Sequence, residues 1–138
     1  MERIVVGVDG SQAARDALHW AVNEGRRRNA VVEAVYAWHQ PFTGYEYMGE
    51  MNLGGFEEEA RQALDAAVDA VDTTGVSVER KLVAGGAAGA LVEAAKGAEL
   101  LVVGSRGRGG FSGLLLGSVS QQAAHHAPCP VVIIPAAS

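Results

Sequence analysis

The chain of 138 residues has one cysteine, Cys129, which excludes an internal disulfide and any metal site built from several thiolates of one chain. A domain of this length needs neither, since it buries roughly 68–70% of its unfolded surface around a single core. Aromatic residues make up only 6%, and there are two lysines, Lys81 and Lys96. No window approaches the length of uninterrupted apolar sequence that a membrane helix requires, so no membrane partner is expected. The opening Met1-Glu2-Arg3-Ile4-Val5-Val6 lacks the charged region and long apolar run of a secretory signal. Sixteen acidic against eleven basic side chains give a net charge of −5, which argues against general binding to nucleic acid or anionic lipid. These absences predict an acidic, cytoplasmic, single-domain protein over residues 1–138.

What is present is unevenly placed. Residues 101–138 contain Arg106 and Arg108 but no Asp, Glu or Lys, so they carry +2 while the rest of the chain carries −7. An acid-free segment in an acidic protein marks a place for an anion. Glycine clusters in the same region: five of the eighteen fall between Gly104 and Gly113.

Short apolar runs alternate with helical spacing along the chain. Ile4–Val8 reads as a buried strand that meets a turn at Asp9-Gly10-Ser11, with Ser11 placed to cap a helix buried through Ala14, Ala17, Leu18, Ala21 and Val22. A second strand is expected at Ala30–Ala37. Residues 38–55 show neither period, and Tyr45, Tyr47, Met48 and Met51 within them suit either a lid or a cover over the sheet edge. A helix fits about 56–73, with Glu57, Glu58 and Glu59 in its first turn. Further strands are expected at Val76–Val83, Glu99–Val103 and Pro130–Ile134, and further helices at Ala87–Lys96 and about 117–126. Strands that alternate with helices imply a parallel sheet covered on both faces.

Several marked residues have plain structural readings. Gly7 suits close packing within a strand. Cys129 reads as a small buried hydrophobe, His125 and His126 as cations complementing a helix end, and Arg26-Arg27-Arg28 as a solvated helix end.

The fourth strand runs into Gly104-Ser105-Arg106-Gly107-Arg108-Gly109-Gly110, and Gly117-Ser118 follows at the start of the next helix. Glycine permits tight turns and close approach of backbone N–H groups to a ligand, and a helix start adds unpaired N–H groups and a positive dipole end. Together with the local charge, this pattern points to a phosphate. It is not a Walker A loop, because no Gly-Lys-Ser/Thr follows, and the step after Gly107-Arg108-Gly109 falls on Ser112, which breaks a dinucleotide fingerprint.

The spacing Gly104-x2-Gly107-x9-Gly117-Ser118 resembles the nucleotide-binding signature of the universal stress protein family, in its ATP-binding branch. Leu101–Gly110, Leu114–Ser120, Ile4–Ser11 and His126–Val132 extend the resemblance over nearly the whole chain. It implies an open five-stranded parallel sheet in the order 3-2-1-4-5, an α/β, Rossmann-like fold of the adenine nucleotide alpha hydrolase-like type. In such a sheet, ligands bind beyond the strand ends where the order reverses, which here lies between Asp9 and Gly104.

By the same resemblance, Val103, Gly104, Ser105, Arg106, Gly107 and Arg108 would lie along ribose and phosphates. Gly117, Ser118, Val119 and Ser120 would bind phosphate at the helix start. Asp9 would reach the ribose or a metal on the phosphates, or else serve only as a turn former, with Gly10 and Ser11 forming the adjoining wall. Ala37 would offer backbone hydrogen bonds to adenine. The ligand implied is ATP with Mg2+, with cyclic AMP as the alternative. Ala87 stands where relatives often carry proline, a departure expected to leave the site untouched. The last strand, Val131–Ile134, would be an edge that pairs two chains into a homodimer. A regulatory stress-response role is expected and an enzymatic one is not: no lysine stands in the glycine loop, and Asp9 alone is a poor phosphoryl-transfer apparatus, which leaves at most slow hydrolysis.

Overall fold

The computed structural model describes residues 2–38, 53–106 and 117–135. Strand β1 (Arg3–Val8) is apolar on both sides of its pleat, and Ile4, Val5 and Val6 are fully buried, as a central parallel strand requires. Helix α1 (Gln12–Arg28) starts at Ser11, whose Oγ accepts the Ala14 N–H at 3.1 Å, and it ends at Asn29 in the left-handed region with φ 58°. After β2 (Val31–Trp38) come α2 (Leu53–Asp69), β3 (Val78–Ala84), α3 (Ala87–Ala94), β4 (Leu100–Gly104), α4 (Ser118–His126) and β5 (Val131–Ile134). All strand pairs are parallel, in the order β3-β2-β1-β4-β5, which is the order the resemblance implied.

The two faces of the sheet carry separate cores. Ile4, Val6 and Val8 of β1, with Val32, Ala34 and Tyr36 of β2, pack against Leu18 and Val22 of α1 and Leu64 and Val68 of α2. Val5, Val35, Leu101 and Val103 face the other way, against Leu91 of α3 and Ala123 of α4. Cys129 is half-buried beside this second cluster, and burial pushes its thiol up. His125 and His126 occupy the exposed last turn of α4, with ring centroids 6.3 Å apart. Among the described residues, no helix is long and apolar enough to cross a membrane.

One expectation fails at α2. The helix begins at Leu53 rather than near 56, so Glu57, Glu58 and Glu59 lie in its second turn, exposed, and its first turn holds no acid. Glu57 instead approaches Arg61 one turn later, at 3.6 Å. Gly54 and Gly55 read as loop because each costs about 1 kcal/mol in a helix interior, a local propensity that the rest of the helix overrides. The helix also ends earlier than 73. Asp72 Oδ1 accepts the Thr74 N–H at 3.0 Å and its hydroxyl at 2.6 Å, which turns the chain. The Thr74 hydroxyl and N–H, in that order, hold the Asp72 carboxyl below its ordinary value. Arg26 fastens the turn by donating to the carbonyls of Asp72 and Thr74, so this arginine is a structural tie.

At the N-terminal ends of the strands, Arg3 joins three elements. Its Nη1 donates to Glu33 Oε1 at 2.9 Å and to the Ala94 carbonyl at 2.8 Å, and its Nη2 donates to the Lys96 carbonyl at 2.5 Å. Glu33 is only 9% exposed, so removing its partner leaves a poorly solvated charge. Replacing Arg3 by alanine should cost about 1.5 kcal/mol, less than for a fully buried pair because the arginine itself keeps some solvent. Urea unfolding measures this, and an unchanged midpoint would show the network to be inert.

Candidate functional site

The strand order reverses between β1 and β4. The chain leaves β1 for α1 on one face, and α4, which follows β4, lies on the other, so the two connections diverge and leave a cleft above the strand ends. This cleft contains about 500 Å³ of atom-free space, including its open mouth.

Asp9 and the two residues after it form a tight turn. Asp9 Oδ1 accepts the Ser11 N–H at 2.9 Å, and Gly10 takes φ 85°, a conformation that suits glycine. The Gly10 carbonyl accepts from Arg15 Nη1 at 2.8 Å, and the Ser11 oxygen caps α1. Asp9 is therefore a turn former and also lines the cleft, while Gly10 and Ser11 support the wall from behind.

On the opposite side, Val103, Gly104 and Arg106 line the cleft. A Cβ at Gly104 would lie 2.8 Å from both the carbonyl carbon and the Cβ of Ala13, and 2.9 Å from its oxygen. The glycine is thus required by the close approach of α1 to β4. Gly7 differs, since a Cβ there would meet only the end of the Leu91 side chain, Cδ1 at 2.8 Å, which can shift where backbone cannot.

The third wall is the start of α4. Gly117 is its N-cap, and the first bond within the helix runs from the Gln121 N–H to the Gly117 carbonyl at 3.0 Å. The N–H groups of Ser118, Val119 and Ser120 precede that bond and have no helical acceptor. Val119 and Ser120 line the cleft, and Ser118 is exposed beside them. The Gly117 N–H itself donates to the Ser105 carbonyl at 2.6 Å.

Ala37 forms part of the remaining wall. The Trp38 carbonyl accepts from Gly85 on the β3 side, so by strand alternation the Ala37 carbonyl points toward β1, beyond the last paired position, Val8 with Tyr36.

The structure thus brings Asp9, Ala37, Val103, Gly104, Arg106, Val119 and Ser120 to one cleft. Gly10, Ser11, Ser105, Gly117 and Ser118 adjoin it without lining it, and Gly107 and Arg108 lie outside the described residues, as do Tyr45, Tyr47, Met48 and Met51. Sequence reasoning missed Gly7, Val8, Ala14, Val35, Ala87 and Leu91 as lining residues. These carry no polar signal, although extending the strand and helix periods to the carboxyl end of the sheet would have found Val8, Val35 and Leu91. Ala87, expected to lie clear of the site, lines the cleft. Among the described residues, no group of three His, Cys, Asp or Glu side chains is arranged to hold a metal ion unaided. An apolar slot beside helix N–H groups and one arginine suits a ligand with a flat apolar part and an anionic part.

Comparison with known proteins agrees with this architecture. The profile of the universal stress protein family matches residues 1–135. Universal stress protein Rv2623 of Mycobacterium tuberculosis is 35% identical over 137 residues, covering 94% of this chain and 44% of the relative. The chain therefore spans less than half the length of that relative. A universal stress protein solved in complex with cAMP superposes with a TM-score of 0.75 at 28% identity, covering 96% of each chain. The universal stress protein from Archaeoglobus fulgidus in complex with dAMP gives 0.74 at 25% identity, covering 97% of this chain and 98% of that one. The chain belongs to the universal stress protein family.

Proposed function

We propose that this protein is a regulatory nucleotide-binding module of the stress response that holds ATP, with Mg2+, in the cleft between β1 and β4. The observation that carries the reading is the placement of the first turn of α4 across from an apolar slot: its N–H groups suit phosphate, and Val8, Val35 and Leu91 suit a purine ring. The outward Ala37 carbonyl is an acceptor, which favours the amino group of adenine over the keto oxygen of guanine. Arg106 adds a cation on the phosphate side, and Asp9 is the carboxylate best placed to face a magnesium ion carried by the phosphates. The complexes of family members with cAMP and dAMP support an adenine nucleotide as the ligand class.

The role is binding rather than turnover. Asp9 is the single carboxylate among the residues lining the described cleft, while Lys81 lies in β3 and Lys96 beyond α3. Cyclic AMP is the second reading, favoured by the cAMP complex, and it would engage only part of the α4 start. Denaturing freshly purified protein and identifying the released nucleotide by mass separates the two. ATP supports the first reading, cyclic AMP the second, ADP alone indicates hydrolysis, and no nucleotide together with no heat of binding for either ATP or cyclic AMP refutes both.

The same reading includes a homodimer through β5, which hydrogen-bonds β4 on one side and is the last strand of the sheet on the other. The carbonyls of Pro130 and Ile134 face β4, so the Val131 and Ile133 N–H groups face outward. Replacing Ile133 by proline removes one outward donor without removing a bond to β4, and it should give a protein that sediments as a single chain. A dimer of unchanged affinity would place the interface elsewhere.

A further inference from the structure

The hydroxyl of Ser120 is engaged away from the cleft that its residue lines. Ser120 is 2% exposed, and its Oγ lies 2.9 Å from the Ser105 carbonyl and 3.1 Å from the Gly117 carbonyl. The hydroxyl has one proton to share between them, and the longer second contact is the local alternative open to a helical serine. The first reaches back fifteen positions, to the residue just past the end of β4. The same Ser105 carbonyl accepts the Gly117 N–H at 2.6 Å, and the Ser105 N–H donates to the Ile134 carbonyl at 2.8 Å. One residue, Ser105, thus gathers the ends of β4 and β5 and the first turn of α4, and Ser120 joins that junction through its side chain.

We propose that Ser120 is a positioning residue for the phosphates of the bound nucleotide. By tying the first turn of α4 to Ser105, it fixes where the N–H groups of Ser118, Val119 and Ser120 aim. The Gly117 bond alone is a pivot at the helix end, and a second bond one turn along removes the rotation about it. This inference rests on the nucleotide reading of the cleft. It predicts a separation within the ligand: the tie affects the phosphate end and leaves the base end, set against Val8, Val35 and Leu91, unaffected.

Isothermal titration of wild type and Ser120→Ala with ATP and with adenosine tests it. Alanine is a better helix former, and the Ser105 carbonyl keeps its bond from Gly117, so the variant should fold; circular dichroism checks this. If it does not fold, Ser120→Cys, similar in size and a weaker donor, carries the same test. ATP affinity should fall about tenfold, the worth of about one hydrogen bond to a charged group, while adenosine affinity stays the same. Ser120→Thr, which keeps the hydroxyl, should restore the preference for ATP over adenosine. Equal losses for both ligands would reveal a merely structural role, and an unchanged ATP affinity would remove any role; either overturns the proposal while the nucleotide reading stands. A wild type that binds ATP no better than adenosine overturns the reading itself.

Discussion

Replacing Gly104 by valine will destabilise the fold by about 3 kcal/mol or more, the upper end of what overpacking a core costs. The reason lies in what the new side chain meets. The contacts at 2.8–2.9 Å are with the backbone and Cβ of Ala13, in the first turn of α1, and not with the end of a flexible side chain. Relief therefore requires the whole helix to move off the sheet, against a buried face that includes Ala17, Leu18, Ala21 and Val22. A loss of this size is a large share of the roughly 5–15 kcal/mol by which a domain is stable. Urea unfolding will show it as a lower midpoint. A variant with an unchanged midpoint but no nucleotide binding would mean that Gly104 serves the ligand alone.

The second large effect concerns binding with the fold kept. Ser118 is the first residue of α4, where proline is tolerated because the N–H has no helical acceptor. The preceding Gly117 already has φ −78° and ψ 172°, the extended geometry that a following proline demands. Ser118→Pro therefore deletes one backbone donor and one exposed hydroxyl and leaves the helix in place. If that donor meets phosphate, ATP affinity will fall about 10- to 100-fold, as expected for losing charge-assisted hydrogen bonds. Adenosine binding will be unaffected. Titration calorimetry decides, and an ATP affinity within twofold of wild type would remove the α4 start from the site.

Much of this architecture was legible in the sequence because its signals are local. The apolar run Ile4–Val8, the Ser11 cap and the paired Gly104 and Gly117 each announce an element or a boundary, and the strand order came with the resemblance. Contacts between distant elements were less visible. Gly104 reads as a ligand residue until Ala13 is seen against it. Ser120 reads as a phosphate ligand at the helix start until its hydroxyl is seen bonded to the Ser105 carbonyl. Leu91 and Ala87 belong to an unremarkable Ala-rich helix, and only the tertiary fold places that helix over the cleft. The start of α2 was missed for the opposite reason, since two glycines signalled a loop that helix formation overrode.

The two cores differ in a way that bears on how the cleft responds to an occupant. The face covered by α1 and α2 is built on long helices and large aliphatic side chains, whereas α3 and α4 are short and bury chiefly Leu91 and Ala123. Local opening takes least free energy where least apolar surface is buried. The cleft draws Leu91, Val119 and Ser120 from that thinner layer, and from α1 it takes only Ala14, at the helix's fixed beginning. An occupant thus presses a compliant wall against a stiff one, and the amides it slows in hydrogen exchange belong mainly to α3 and α4.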